Sequence, residues 1–314
     1  MPAQIARRIV YAIPVLFVVS VVVFALVLMI PGDPAVTLAG DNATAEQVER
    51  IRQELGLDRG LVAQYVDWLS SALRGDLGTS LYSSQSVVDA ITQRIPVTVS
   101  LAGGAIAISI VIGIPTGILA GYRKGTATDR AATLGATIGV ALPNYFLGML
   151  LVLVFAIRLG WLPATSFVPI GQSRTDWFKH LLLPWITLGT SGAAVIARQM
   201  RSAMIGVLDQ DYIRSAKAKG LLNRRVLFRH ALPNAAIPVV TVIGAQVAVV
   251  LGGSIIIEQV FGFAGVGQLA VTAVLRRDMP TIQGVVLFYT LIVVVVNIVV
   301  DSTYTLINPK VRTI

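Results

Sequence analysis

The 314-residue chain has no cysteine, which leaves it without a disulfide framework or a thiolate metal site. Charge is also scarce: 13% of residues are charged and 7% aromatic, against 55% hydrophobic, and the mean hydropathy is +0.77. A soluble core of this length could not hide so much apolar surface, whereas a bilayer accepts it. No G-x-x-x-x-G-K-[ST] run is present, so the chain has no Walker A loop for ATP phosphates. The glycine-rich stretch Gly262–Gly267 follows an apolar span and not a strand, and reads as a turn. The two histidines, His180 and His230, are predicted on opposite membrane faces, where they cannot share a metal. No pair of carboxylates has a spacing that demands general acid–base work. The expectation is a chain that is not an enzyme and holds no cofactor or metal of its own.

Six stretches approach the roughly 20 apolar residues that a spanning helix needs. They are Ile9–Ile30, Val97–Gly121, Ala131–Ile157, Leu181–Val207, Ala235–Ile257 and Val285–Ile307. The fold class expected is therefore all-α, a polytopic membrane protein with six transmembrane helices. The first apolar run is too long for a cleavable signal and reads as a retained anchor. The net charge of +9 is not spread as in a nucleic-acid binder. With the N-terminus inside, the internal segments carry +11 and the external segments −2, the positive-inside bias, which places both termini in the cytoplasm. Ionisable residues are missing from the central parts of spans one, two, three and five, and Glu258 and Asp301 lie near opposite ends of theirs. Ion-coupled transporters need charged stations within the bilayer, so energy is expected to arrive from another subunit.

Between the first two spans, Pro31–Pro96 has soluble patterning and reads as a helical extracytoplasmic segment. Thr44 and Gln47 form a capping-box signal ahead of Val48, Ile51 and Leu55, with Gly56 as the stop. A second helix over Leu61–Leu73 has the stripe Leu61, Tyr65, Trp68, Leu69 and Ala72, and a short helix runs from Ser86 to Arg94. These stripes either pack on the membrane part or form a docking surface for an external partner. The chain thus divides as 1–30, 31–96 and a five-helix core, 97–314. Gly103, Gly104, Gly113 and Gly117 in span two point to close helix packing. Pro143, Asn144 and Tyr145, near the middle of span three, mark either a packing kink or a kink lining a pathway. With Glu258, Phe261 and Phe263 they make up the candidate pathway or gate residues. Arg198, Gln199 and Arg201, ending span four, read as snorkelling groups at lipid headgroups.

The remaining feature is Asp209–Pro233, where basic residues interleave with Tyr212, Ile213, Ala216, Leu221, Leu222, Leu227 and Phe228. It reads as two short amphipathic helices broken at Gly220, the first N-capped by Asp209 or Asp211 and the second ending before Leu232 and Pro233. A basic loop lying on anionic lipid is the plainer alternative.

Arg214, Ser215 and Ala216, then Gly220, His230, Leu232 and Pro233, occupy the slots of the EAA signature, with Arg, Ser and His replacing its Glu, Ala and Ile. In this the chain resembles ABC-importer permeases, specifically the dipeptide/oligopeptide/nickel branch and the first of its two permease subunits. Pro31–Ala35, Leu55–Asp58, Gln64–Tyr65, Gly75–Ser80, Gly160–Pro163 and Arg277–Pro280 follow in that branch's order, while Ala264 departs from its usual proline. The resemblance implies a permease subunit in a bacterial inner membrane, forming half of a pore for dipeptides or oligopeptides. It also implies four kinds of partner: a paralogous second permease, two cytoplasmic ABC ATPase subunits that bind the ATP, an extracytoplasmic substrate-binding protein, and membrane lipid. Nickel chelate, glutathione and haem are the other solutes of the branch. The implied ATPase-coupling residues are Asp211, Tyr212, Ile213, Arg214, Ala216, Gly220, Arg224, Leu232 and Pro233, with Tyr212, Ile213 and Ala216 filling a groove on the ATPase. A self-sufficient secondary transporter or channel, or a membrane scaffold, remains the reading from other classes.

Overall fold

The computed structural model describes residues 2–29, 33–40 and 43–307; Ile30, Pro31 and Gly32, and Asn308, Pro309, Lys310 and Arg312, lie outside them, as does the Asp301 side chain. Among the described residues every regular element is a helix, apart from one antiparallel bridge between Thr79 and Ser86. Five helices are long and apolar enough to cross a membrane, and a sixth span arises if one bent helix pair counts as one.

The chain forms two compact units, of which the first comprises 1–96 and 264–294. It opens with α1 (Pro2–Leu28) and α2 (Pro34–Ala39), the latter capped by Asp33, which accepts from the Ala35 N–H at 2.9 Å. In α3 (Ala45–Glu54) the expected capping box is complete: Gln47 N–H donates to Thr44 at 3.3 Å, and Thr44 N–H to the Gln47 side chain at 2.8 Å. Along α4 (Leu61–Leu73), Tyr65 meets Phe24 of α1 edge to face at 5.4 Å and Trp68 meets it tilted at 5.9 Å, and the Tyr65 and Ser20 hydroxyls bond at 2.7 Å. The apolar stripe is narrower than expected, since Leu61 in the first turn is 58% exposed. Next, α5 (Val87–Thr92) joins α13 (Val266–Arg276) and the start of α14 (Met279–Ile307) through a core of Val87, Ile91, Val266 and Val285. Asp278, between α13 and α14, is 5% exposed and accepts three bonds, from Ser80 Oγ (2.5 Å), Leu81 N–H (3.0 Å) and Thr281 Oγ1 (2.8 Å). It pins the Gly75–Ser80 loop to Arg277–Pro280, two segments far apart in sequence.

The second unit, 97–263 with 295–314, is built around α6 (Ile95–Tyr122) and the 35-residue α9 (Arg174–Leu208). Gly113, Gly117 and Gly121 of α6 lie at four-residue spacing against the carbonyls of Ala193, Ala197 and Arg201. A Cβ at these glycines would fall 2.7, 2.6 and 3.0 Å from those oxygens, so no side chain fits without parting the helices. Toward the other end the small residues change sides: Gly189 of α9 packs on Ala105 and Ile108, and the Ser109 hydroxyl bridges the carbonyls of Ala105 and Gly189 at 2.8 and 2.9 Å.

Span three is not the kinked helix expected. It is two helices, α7 (Ala127–Ala141) and α8 (Asn144–Leu151, extended by a π-helical stretch Val152–Arg158), meeting at 99°. Pro143 has no N–H to donate and forces Leu142 out of the helical region, so both residues are extended (ψ 122° and 132°). The helix is interrupted outright.

Candidate coupling surface

After α9, Gln210 turns the chain into α10 (Asp211–Ala218). The spacing of Ile213 and Ala216 puts both on one helix face, and that face is buried at 0% and 8% exposure. They pack with Met200 and Met204 of α9, with Val226 and Ala231, and with Ala235 and Val239 of α12 (Leu232–Val260). The opposite face is open: Tyr212 is 44% exposed, and Asp211 and Arg214 form a solvent-facing pair at 3.4 Å. The Tyr212 hydroxyl accepts from Asn234 Nδ2 at 3.0 Å, and the same amide donates to the His230 carbonyl at 3.0 Å, tying α10 to the first turn of α12. Gly220 follows at φ +74°, a conformation that a side chain rarely adopts, with open space where its Cβ would be.

Three expectations are corrected here. Ile213 and Ala216 cannot fill a groove on another protein, because they are the attachment of α10 to this chain's own core. Neither Asp209 nor Asp211 caps α10: Asp209 closes α9, Gln210 holds the cap position without a side-chain bond, and Asp211 is already in the first turn. The second helix does not stop before Leu232 and Pro233. From α11 (Asn223–Arg225) the backbone widens into a π-helical stretch, Val226–Ala231, and runs straight into α12. Pro233 sits in the first turn of α12, where its missing N–H costs least. Two apolar side chains without an assigned role emerge on this surface, Leu222 at 78% exposure and Phe228 at 52%. They stood in the sequence among other leucines, with no periodicity to single them out.

A second group lies on α9 one turn before Met204. Arg201 grips Asp129 of α7 bidentately, Nε to Oδ1 at 2.5 Å and Nη2 to Oδ2 at 2.8 Å, while the Gly125 N–H donates to Oδ2 at 2.9 Å. Asp129 is 4% exposed. This corrects the snorkelling role expected of Arg201, whereas Arg198 is exposed. The pair fastens the α6–α7 turn to the helix that carries α10. It was invisible in the sequence because its members are 72 residues apart.

The candidate pathway residues divide. Pro143 caps α8 without a side-chain bond, Asn144 follows it half-buried, and Tyr145 is 48% exposed. Glu258, Phe261 and Phe263 are sealed inside the unit at 0%, 1% and 0% exposure. Glu258 accepts from Thr98 Oγ1 at 2.8 Å, and Phe263 meets Phe167 and Phe261 with centroids 6.0 and 6.2 Å apart. These three brace the end of α12 and face no open space within this chain.

Residues 113–313 match the family model described as "Binding-protein-dependent transport system inner membrane component", and residues 1–102 match the corresponding N-terminal model. A putative peptide transport system permease protein of Brucella abortus (strain 2308) is 43% identical over 312 residues, covering 99% of each chain. The glutathione transport system permease protein GsiC of Escherichia coli (strain K12) is 41% identical over 308 residues, covering 98% of each. A solved structure of the MetNI methionine ABC transporter, in an inward-facing conformation, superposes on 69% of this chain and 96% of its own with a TM-score of 0.54 at 16% identity, which shows a shared fold. With its small-residue helix seam, its multi-pass apolar helices and the matches along its length, the chain belongs to the binding-protein-dependent transport system inner membrane components, the permeases of ABC importers.

Proposed function

We propose that the chain is one of two pore-forming permease subunits of an ATP-driven peptide importer, with both termini in the cytoplasm. Its partners in this reading are a paralogous permease, two ABC ATPase subunits on the 209–233 face and an extracytoplasmic binding protein on the other. The observation that carries it is the two-sidedness of α10: the inner face is welded to α9 and α12, and the outer face presents charge and the exposed ring of Tyr212. Coupling then falls to Asp211, Tyr212, Arg214, Arg224, Leu222, Phe228 and Pro233, all exposed. Ile213 and Ala216 pass the displacement inward, and Gly220 sets the turn.

Motion of α10 reaches α9 through Met200 and Met204, and reaches α6 and α7 through the glycine seam and the Asp129–Arg201 pair. The energy arrives as rigid-body displacement, since packed small-residue seams shift as units and do not deform continuously. Peptides are the solute class because the names of the two relatives converge on it, glutathione being itself a tripeptide. Uptake of labelled di- and tripeptides by cells expressing the full complex, compared with ATPase subunits lacking catalytic activity, tests the reading. Uptake should vanish with the dead ATPases; uptake that persists overturns it.

A further inference from the structure

The first compact unit contains a half-open cavity of about 520 Å3 that the coupling mechanism does not use. Several of the segments singled out in the sequence meet on its walls: Leu55–Leu57, Gln64, Asp76–Gly78, and Met279 with Pro280. One side is apolar, with the Trp68 and Phe24 rings in tilted contact, centroids 5.9 Å apart. The polar lining is one-sided in charge, three carboxylates (Glu54, Asp67, Asp76) against the guanidinium of Arg59.

Asp67 and Arg59 neutralise each other at 2.9 Å. Asp76 commits one oxygen to the Gly78 N–H at 2.8 Å, and Glu54 reaches Arg50 only at 3.8 Å, with both side chains largely exposed at 67% and 73%. Asp76 thus has no cationic partner among the described residues, and Glu54 has only a long, solvent-exposed one. Deeper in, Gln283 is 8% exposed, and among the described residues its amide has no hydrogen-bond partner in the protein. Its amide offers one donor group and one acceptor to whatever fills the cavity.

We propose that this cavity binds the amino-terminal end of a short peptide. The free ammonium answers Glu54 and Asp76, the first peptide group supplies the donor and acceptor for Gln283, and an apolar side chain lies against Trp68. The volume is that of a small-ligand site, and the half-enclosed shape is not the broad flat patch by which proteins dock. The proposal rests on the reading that peptides are the solute, and its test measures binding and not transport, so the two can fail separately.

Because the chain has no cysteine, Ser71→Cys places a single thiol in the cavity wall. In the intact complex in nanodiscs, the rate at which a small maleimide labels this thiol is measured with alanyl-leucyl-alanine, with its N-acetylated form, and with neither. The free-amine tripeptide at millimolar concentration should slow labelling at least about threefold, and the acetylated form should not. In Glu54→Gln and Gln283→Leu backgrounds, half-protection should need about three- to tenfold more peptide. Equal protection by both forms, or none by either, overturns the proposal. Protection that appears only when the binding protein is added also overturns it, since that would assign the cavity to a protein loop. Should Ser71→Cys fail to assemble, calorimetric titration of the unmodified complex with the same two peptides decides the same question.

Discussion

Replacing Asp129 by Asn keeps the shape of the side chain and removes its charge. The Arg201 guanidinium then loses an ionic partner held at 2.5 and 2.8 Å, and the Gly125 N–H bond at 2.9 Å weakens with it. Breaking a buried pair by removing one member costs about 3–5 kcal/mol, mostly through the charge left behind. Arg201 keeps 32% of its side-chain surface and recovers part of its hydration, so about 2–3 kcal/mol is expected here. For a chain of this length that is about 3–4 °C in the melting temperature of the permease. The assay is a double-mutant cycle of Asp129→Asn, Arg201→Gln and the pair, followed by thermal melting and by ATP hydrolysed per peptide imported. The double variant should recover at least about 1 kcal/mol relative to additivity, because no lone charge remains. Each single variant should hydrolyse more ATP per imported peptide, since the α6–α7 turn no longer follows α9. Additive melting, or an unchanged ratio in both single variants, refutes the idea that the pair is a mechanical fastening.

Gly117→Val forces a side chain into a carbonyl 2.6 Å from the Cβ position and should lower stability by about 1–3 kcal/mol, whereas Gly103→Ala, with open space around it, should be neutral or stabilising by up to about 1 kcal/mol; parallel melts of the two variants check the seam. Gly220→Val must hold φ near +74°, costing about 1–2 kcal/mol per residue for a branched side chain, and should uncouple ATP hydrolysis from uptake while membrane insertion stays intact; normal coupling in the purified variant would rule out a role for this turn. Phe228→Ser with Leu222→Ser should weaken ATPase attachment in a pull-down without moving the melting temperature of the isolated permease, while Ile213→Ala should lower that temperature through a loss of about 2–4 kcal/mol of core packing. The reverse pattern would exchange the roles of the two faces.

The cap of α3 and the turn at Gly220 were legible because they depend on local chemistry, a Thr–Gln pair in register and a glycine where φ is positive. The pattern around Pro143 was legible as a disturbance, yet its size was not. Whether a proline bends a helix or ends it depends on what neighbouring helices offer the freed backbone. The surface at 209–233 shows the same division. Its spacing identified the family, but which of its apolar residues face inward depends on where α9 and α12 lie.

By itself, then, the sequence determined a multi-pass helical chain, the placement of nearly all its apolar helices and the family signature carried by 209–233. Composition, run length, charge bias and motif spacing are properties of the chain read in order, and these features depend on nothing else. Tertiary structure alone decided that Ile213 and Ala216 anchor α10 inward while Leu222 and Phe228 remain outside. It also decided that Arg201 holds Asp129, and that the Gly75–Ser80 and Arg277–Pro280 segments share one cavity. Each of these joins residues distant along the chain, and such a contact exists only once the helices have packed.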